Sequence, residues 1–266
     1  RQCLLEITYL ETLLDCDSMN FYERGNIMEK EKVALVTGSS RSLGRQIALR
    51  LSDIAGAVAV HYHTNKAAAE DVVRLIRLKG KASFAFRADL TKEKQAAALV
   101  RNVEVRFGRI DILINCFGPF LEKPWEKLND QDWDLILRGN LQSAFFCLKA
   151  AVPGMRKRKW GRVINIGYSR AEQLAAFPNI TPYAAAKTGL LILTRTAAKT
   201  EGASGITVNM VSPGLIQGGR LPSGGKFEAS ALGTPDDVAN AVLFLASEGA
   251  QAITGTNLIV SGTWKM

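Results

Sequence analysis

The chain has 266 residues, 47% of them hydrophobic and 22% charged, and a formal net charge of +9. That balance suits a globular protein with a sizeable core of its own and excludes a disordered or collagen-like chain. Cys3, Cys16, Cys116 and Cys147 form no CxxC pair and His61 and His63 are the only histidines, so neither a disulfide framework nor a metal site is expected.

Residues 1–28 are acidic, with Arg1 and Arg24 set against Glu6, Glu11, Asp15, Asp17 and Glu23. They read as an N-terminal extension, with Met19 and Met28 as alternative starts, ahead of one domain over 29–266. Glu6 and Glu11 interrupt what a secretory signal would need as an unbroken apolar stretch, and the few cysteines suit a reducing cytoplasmic compartment. No apolar run approaches the roughly 20 residues of a bilayer span, so no membrane partner is expected. The one dense basic run, 156–159, lacks interleaved aromatic residues and reads as the cationic end of a helix rather than a nucleic-acid surface.

From Lys32 onward, short runs rich in Val and Ile alternate with stretches of helical period, the pattern of repeated βα units. Strands are predicted at 32–37, 57–62, 82–86, 110–115, 162–167, 206–211 and 257–262. Helices are predicted between them at 43–55, 66–79, 92–107, 131–156, 183–201 and 235–247. Strands apolar on both faces belong in a parallel sheet covered on both sides. Right-handed crossovers then make an α/β, single-domain, doubly wound Rossmann fold: a mainly parallel seven-stranded sheet with helices on both faces and ligands beyond the carboxyl ends of the strands.

The first strand runs into TGSSRSLGRQIA, where Gly38 and Gly44 bracket a turn opening a helix. Backbone without side chains lets phosphates approach N–H groups at the positive helix end. The second strand ends in His61, Tyr62, His63, Thr64 and Asn65, with no acid at its tip. A carboxylate there would bind the ribose hydroxyls of NAD and repel a 2′-phosphate, so its absence together with Arg41 favours NADP. Polar residues at a strand end also occur for structural reasons alone, which is the simpler reading of the two histidines.

TPYAAAKTG, 181–189, places Thr181 to cap a helix and Pro182 in its first turn, with Tyr183 and Lys187 on one face. A phenol of ordinary pKa about 10 is a poor acid–base group at neutral pH. A lysine cation one turn away is expected to lower it.

With NCFG at 115–118 and ITVNMVSPG at 206–214, these motifs resemble the short-chain dehydrogenase/reductase family over residues 32–262. The resemblance implies NADP(H) held by Gly38, Ser40, Arg41, Leu43, Gly44, His63, Thr64, Asn65, Asp89, Leu90, Asn115, Gly118, Tyr183, Lys187, Pro213, Gly214 and Ile216. It also implies that Tyr183 exchanges a proton with the substrate oxygen, that Lys187 holds the ribose and that Asn140 organises a water relay. Ser42 departs from the family's middle glycine, Cys116 and Phe117 replace its NA pair, and SGT at 261–263 replaces DGG. The catalytic serine is displaced: the family's spacing counted back from Tyr183 lands on Arg170, and counted along the strand it lands on Tyr168. Ser169, between them, is expected to polarise the substrate oxygen, with Tyr168 as the alternative.

Both 3-oxoacyl-carrier-protein reductases and pteridine reductases are similar. The resemblance implies reduction of a small-molecule carbonyl first and of a dihydropterin second, while the departures at Ser42, Cys116, Phe117, the serine position and 261–263 leave an NADP-binding sensor that has lost catalysis as a third reading. Segment 216–233 is expected to form the substrate loop. A homotetramer or dimer is expected through the helices at 131–156 and 183–201, the latter presenting Leu190, Leu191, Leu193 and Ala197.

Overall fold

Every residue of β1 (Val33–Val36), β2 (Ala57–Tyr62), β4 (Ile112–Asn115) and β5 (Gly161–Ile166) is buried, as their unbroken apolar runs require. The computed structural model describes residues 31–219 and 232–262. Its seven strands form one sheet in the order β3 (Ala82–Arg87), β2, β1, β4, β5, β6 (Ile206–Pro213), β7 (Asn257–Val260), and every pairing is parallel. The edges show in the burial: β3 leaves Phe84 40% exposed, and β7 is half-buried throughout.

Alternate strand residues feed two cores. Val36, Val60 and Ile114 pack with Ile47 and Leu51 of α1 (Ser42–Leu51), Val72 and Ile76 of α2 (Lys66–Leu78), and Val242 and Leu245 of the last helix. Val33, Leu35 and Leu113 pack on the other face with Leu99 and Val103 of α3 (Glu93–Phe107) and with Cys147 and Met155. Chain progression reverses between β1 and β4, so the loops leaving these strands diverge and open a crevice at their carboxyl ends.

The helix expected over 131–156 is divided into α4 (Asp130–Leu137), a π turn (Arg138–Gln142) and α5 (Ser143–Arg158). Asn140 causes the break: its side-chain Nδ2 donates to Ile136 O at 3.0 Å and to Pro119 O at 2.8 Å. A side-chain donor thus reaches the carbonyl that an α-helical backbone bond would use, and π turns mark such insertions. Gly139 is required there, because a Cβ on it would lie 2.3 Å from Pro119 Cδ. The helix expected over 43–55 stops at Leu51, and Ser52 turns its hydroxyl back to Leu49 O at 2.6 Å.

The chain closes through α6 (Thr181–Glu201) and α7 (Pro235–Ala246). Leu190, Leu191 and Ala197 of α6, expected on an intersubunit face, are 1%, 3% and 5% exposed and belong to the chain's own core. The large apolar residues left exposed on α5 and α6 are Phe145 and Ile192, at 40% and 63%. The expected N-terminal extension lies outside the described residues, as do 220–231 of the expected substrate loop, whose base is closed by a bridge between Ile216 and Gly233. Among the described residues no helix is long and apolar enough to cross a membrane, and no cluster of His, Cys, Asp or Glu could hold a metal ion.

Candidate active site

Thr37 ties the two strands at the crevice together. Its hydroxyl donates to Ile114 O at 3.3 Å and accepts from the N–H groups of Cys116 and Phe117 at 3.0 and 3.1 Å. Gly38 follows at φ +66°, where a Cβ would lie 2.9 Å from Phe117 Cα, and a Cβ on Gly44 would lie 2.3 Å from Gly38 O. Both positions therefore exclude a side chain. Ser42 has φ +49°, so the residue standing for the family's middle glycine holds a left-handed backbone that favours glycine. α1 begins there with no side-chain cap and no acid in its first turn. Ser40, Arg41, Leu43 and Gly44 all line the cleft at this helix end.

His61 braces that loop from the second strand. Its Nδ1 accepts the Gly38 N–H at 2.9 Å, its Nε2 lies 3.1 Å from Ala88 O, and its own N–H donates to Ser39 Oγ at 3.0 Å. The ring is neutral, because burial pushes its pKa down to about 4 against a smaller upward pull from the Ala88 carbonyl. Beyond it, His63, Thr64 and Asn65 are exposed and line the cleft, although Asn65 Oδ1 is committed to capping α2 through Ala68 N at 3.0 Å. Arg41 forms no ion pair among the described residues.

At the other end, α6 brings Tyr183 and Lys187 onto the cleft beside Asn140, Gly118, Pro213, Gly214 and Ile216. Ile180, rather than Thr181, is the N-cap residue, and the Thr181 hydroxyl donates to Phe177 O at 2.7 Å. Lys187 is buried, donates from Nζ to Ile166 O at 2.7 Å and lies 5.5 Å from the centre of the Tyr183 ring. Burial lowers its pKa to about 8. The expected lowering of the Tyr183 pKa is corrected: burial pushes it above its ordinary value, with Tyr168 and Cys116 acting in the same direction. Loss of hydration outweighs the nearby cation, so Tyr183 rests as a neutral acid. Cys116 is a thiol, held up at about 11 by burial.

Four expected site residues lie outside the cleft lining. The Asp89 carboxylate accepts from Thr91 N at 3.0 Å and Thr91 Oγ1 at 2.7 Å. Leu90 is 1% exposed, in the core. Asn115 donates to Asn165 Oδ1 at 2.9 Å, tying β4 to β5. Ser169 donates its N–H to Pro213 O at 3.1 Å and is 2% exposed, its hydroxyl without a hydrogen-bond partner among the described residues. Tyr168 instead lies on the cleft wall, its ring 5.7 Å from that of Tyr183. The sequence reading also missed Phe120, edge-on to Tyr183 at 5.0 Å, and Phe177 and Arg170 nearby; the unusual NCFGPF run was the one available signal.

A family model described as enoyl-(acyl carrier protein) reductase matches residues 38–264. The 3-oxoacyl-(acyl-carrier-protein) reductase FabG of Staphylococcus aureus is 35% identical over 244 residues, which cover 88% of this chain and 98% of the relative. The chain belongs to the short-chain dehydrogenase/reductase family. Its membership makes it an oxidoreductase. FabG of Haemophilus influenzae is 36% identical over 243 residues, 87% of this chain and 97% of the relative. Among solved members of the fold, acetoin dehydrogenase YohF from Salmonella typhimurium superposes with a TM-score of 0.79 at 28% identity, covering 88% of this chain and 96% of that one. A blue fluorescent protein from a metagenomic library, solved in complex with NADPH, does so with a TM-score of 0.79 at 32% identity, covering 88% and 98%.

Proposed function

We propose that the protein reduces a carbonyl, of the ketone or 3-oxoacyl type, with NADP(H) as cofactor. One observation carries the reading: a single cleft of about 1050 Å³ holds both the uncapped, glycine-cradled end of α1 and the Tyr183, Lys187 and Asn140 cluster. The cleft fits the dinucleotide. Its helix end carries no side-chain cap, Gly38 and Gly44 line it, and Arg41 has no ion-pair partner among the described residues. Glu122 is the only carboxylate among its described lining residues, and the tip of β2 carries none to repel a 2′-phosphate. The name of the staphylococcal relative and the NADPH held by the metagenomic protein support the same reading.

Bound NADPH would supply the hydride. Gly38, Ser40, Leu43 and Gly44 would hold its pyrophosphate, Arg41 with His63 and Thr64 the 2′-phosphate end, and Pro213, Gly214 and Ile216 the nicotinamide end. Tyr183, neutral at rest, donates its phenolic proton to the carbonyl oxygen as negative charge gathers there. Lys187 is cationic at neutral pH and stabilises the phenolate left behind. Asn140 Oδ1 is buried, has no hydrogen-bond partner among the described residues and faces Gly118, where a Cβ would lie 2.2 Å away; in this reading it holds the water that returns a proton. The Tyr168 hydroxyl takes the second hydrogen bond to the substrate oxygen, in place of Ser169. General acid catalysis of this kind contributes roughly 10²–10⁴-fold. A partner copy covering Phe145 and Ile192 would make a homo-oligomer.

The test is NADPH oxidation followed at 340 nm, a wavelength set by the cofactor, with simple ketones and acetoacetyl thioesters. Tyr183→Phe should lower kcat by about 10²-fold or more while NADPH affinity is retained. A variant keeping most of the activity would refute the assignment.

A further inference from the structure

His61 makes contacts that none of the proton-transfer steps uses. It is fully buried in β2, yet it reaches the loops that leave β1, β3 and β4. Past β1, the Gly38 N–H donates to its Nδ1 at 2.9 Å. A ring nitrogen that accepts carries no proton, so Nε2 holds the proton and donates it to Ala88 O, just past β3, at 3.1 Å. Past β4, Phe117 meets the ring edge-on, at 88° with centroids 6.1 Å apart. Ser39 completes the set. Its N–H donates to His61 O at 3.0 Å, and its hydroxyl accepts the His61 N–H at 3.0 Å while donating to Val36 O at 2.7 Å.

The turn gripped in this way needs outside support. Gly38 and Ser42 both hold left-handed backbone, at φ +66° and +49°, and a non-glycine residue stays there only where its surroundings fix it. α1 starts at Ser42 without a side-chain cap to steady its first turn. The N–H groups of Gly38 and Ser39 are both taken by His61, so they set the shape of the turn rather than meet a phosphate. An apolar residue at 61 would suit the core beside Val58 and Val60, but it would leave the Gly38 N–H and the Ala88 carbonyl without this partner.

We infer that His61 is a positioning residue for the dinucleotide: its Nδ1 holds the Gly38 N–H and thereby fixes the turn from Gly38 to Gly44 in the form that receives the phosphates of NADP(H). The inference rests on the NADP(H) reading above and names a residue, out of reach of the cofactor's reacting end, on which cofactor affinity depends.

The experiment titrates NADPH into the full chain and reads Kd from the cofactor's fluorescence. Two amide variants separate the ring nitrogens, because the Asn oxygen stands where Nδ1 does and the Gln amide reaches the Nε2 position. His61→Asn should keep Kd within about threefold of the native value, whereas His61→Gln and His61→Leu should raise it by about tenfold, the scale of one hydrogen bond whose partner is left unpaired. A residue needed only for folding would lower the number of binding sites in each preparation and leave their Kd alone. The chain has two histidines, so nitrogen NMR of the native protein reports the His61 tautomer whether or not the variants fold, and it should show the proton on Nε2. The inference is overturned by a proton on Nδ1, by native affinity in all three variants, or by a loss in His61→Asn as large as that in His61→Leu. A native chain that does not bind NADPH would refute the cofactor reading itself, and the inference with it.

Discussion

His61 makes the protein sensitive to acid by an amount the structure sets. Its imidazole is fully buried, and its Nδ1 is committed to the Gly38 N–H, so a proton added there would break the bond that braces the loop. Burial puts its folded pKa near 4, against 6.5 when solvated. Between those values the unfolded chain binds more protons than the folded one, so stability is complete above pH 6.5 and declines as the pH falls through the window. The decline amounts to about 2 kcal/mol between pH 7 and pH 5 and approaches about 3 kcal/mol near pH 4. Urea midpoints at pH 7 and pH 5 for the native protein and for His61→Asn measure it, because the other titrating groups cancel in the difference. The native protein should lose about 2 kcal/mol more than the variant over that interval. Equal losses would refute the argument that His61 is held neutral.

Ser42→Gly should raise stability by about 1 kcal/mol, because φ +49° costs a side chain what glycine does not incur; an unchanged Tm would show that the position is unstrained. Arg41→Ala should lower kcat/KM for NADPH by about tenfold while sparing NADH, and equal losses with both would exclude a 2′-phosphate contact. Tyr168→Phe should lower kcat by about tenfold whereas Ser169→Ala leaves it nearly unchanged. The opposite pattern in steady-state kinetics would return the role to Ser169.

The inner strands β1, β2, β4, β5 and β6 were legible in the sequence because parallel strands buried on both faces read as apolar runs rich in Val and Ile, and Tyr183 and Lys187 were legible because four residues are about one helical turn. Gly38 and Gly44 were legible because the backbone approach they permit excludes every other residue. The sequence showed Asn140 as a polar residue inside a helical pattern, but not that its amide would reach Ile136 O and Pro119 O and open a π turn. It favoured Ser169 narrowly over Tyr168. Only the tertiary structure puts Tyr168 on the cleft wall and buries Ser169 behind it. His61 read as an ordinary strand residue, and its grip on Gly38 exists only because β1 and β2 lie side by side. The direction of the Tyr183 shift was likewise out of reach. Spacing along a helix fixes which charge is near, whereas the burial that outweighs it, and the upward push of Tyr168 and Cys116, exist only once the fold brings distant parts of the chain around Tyr183.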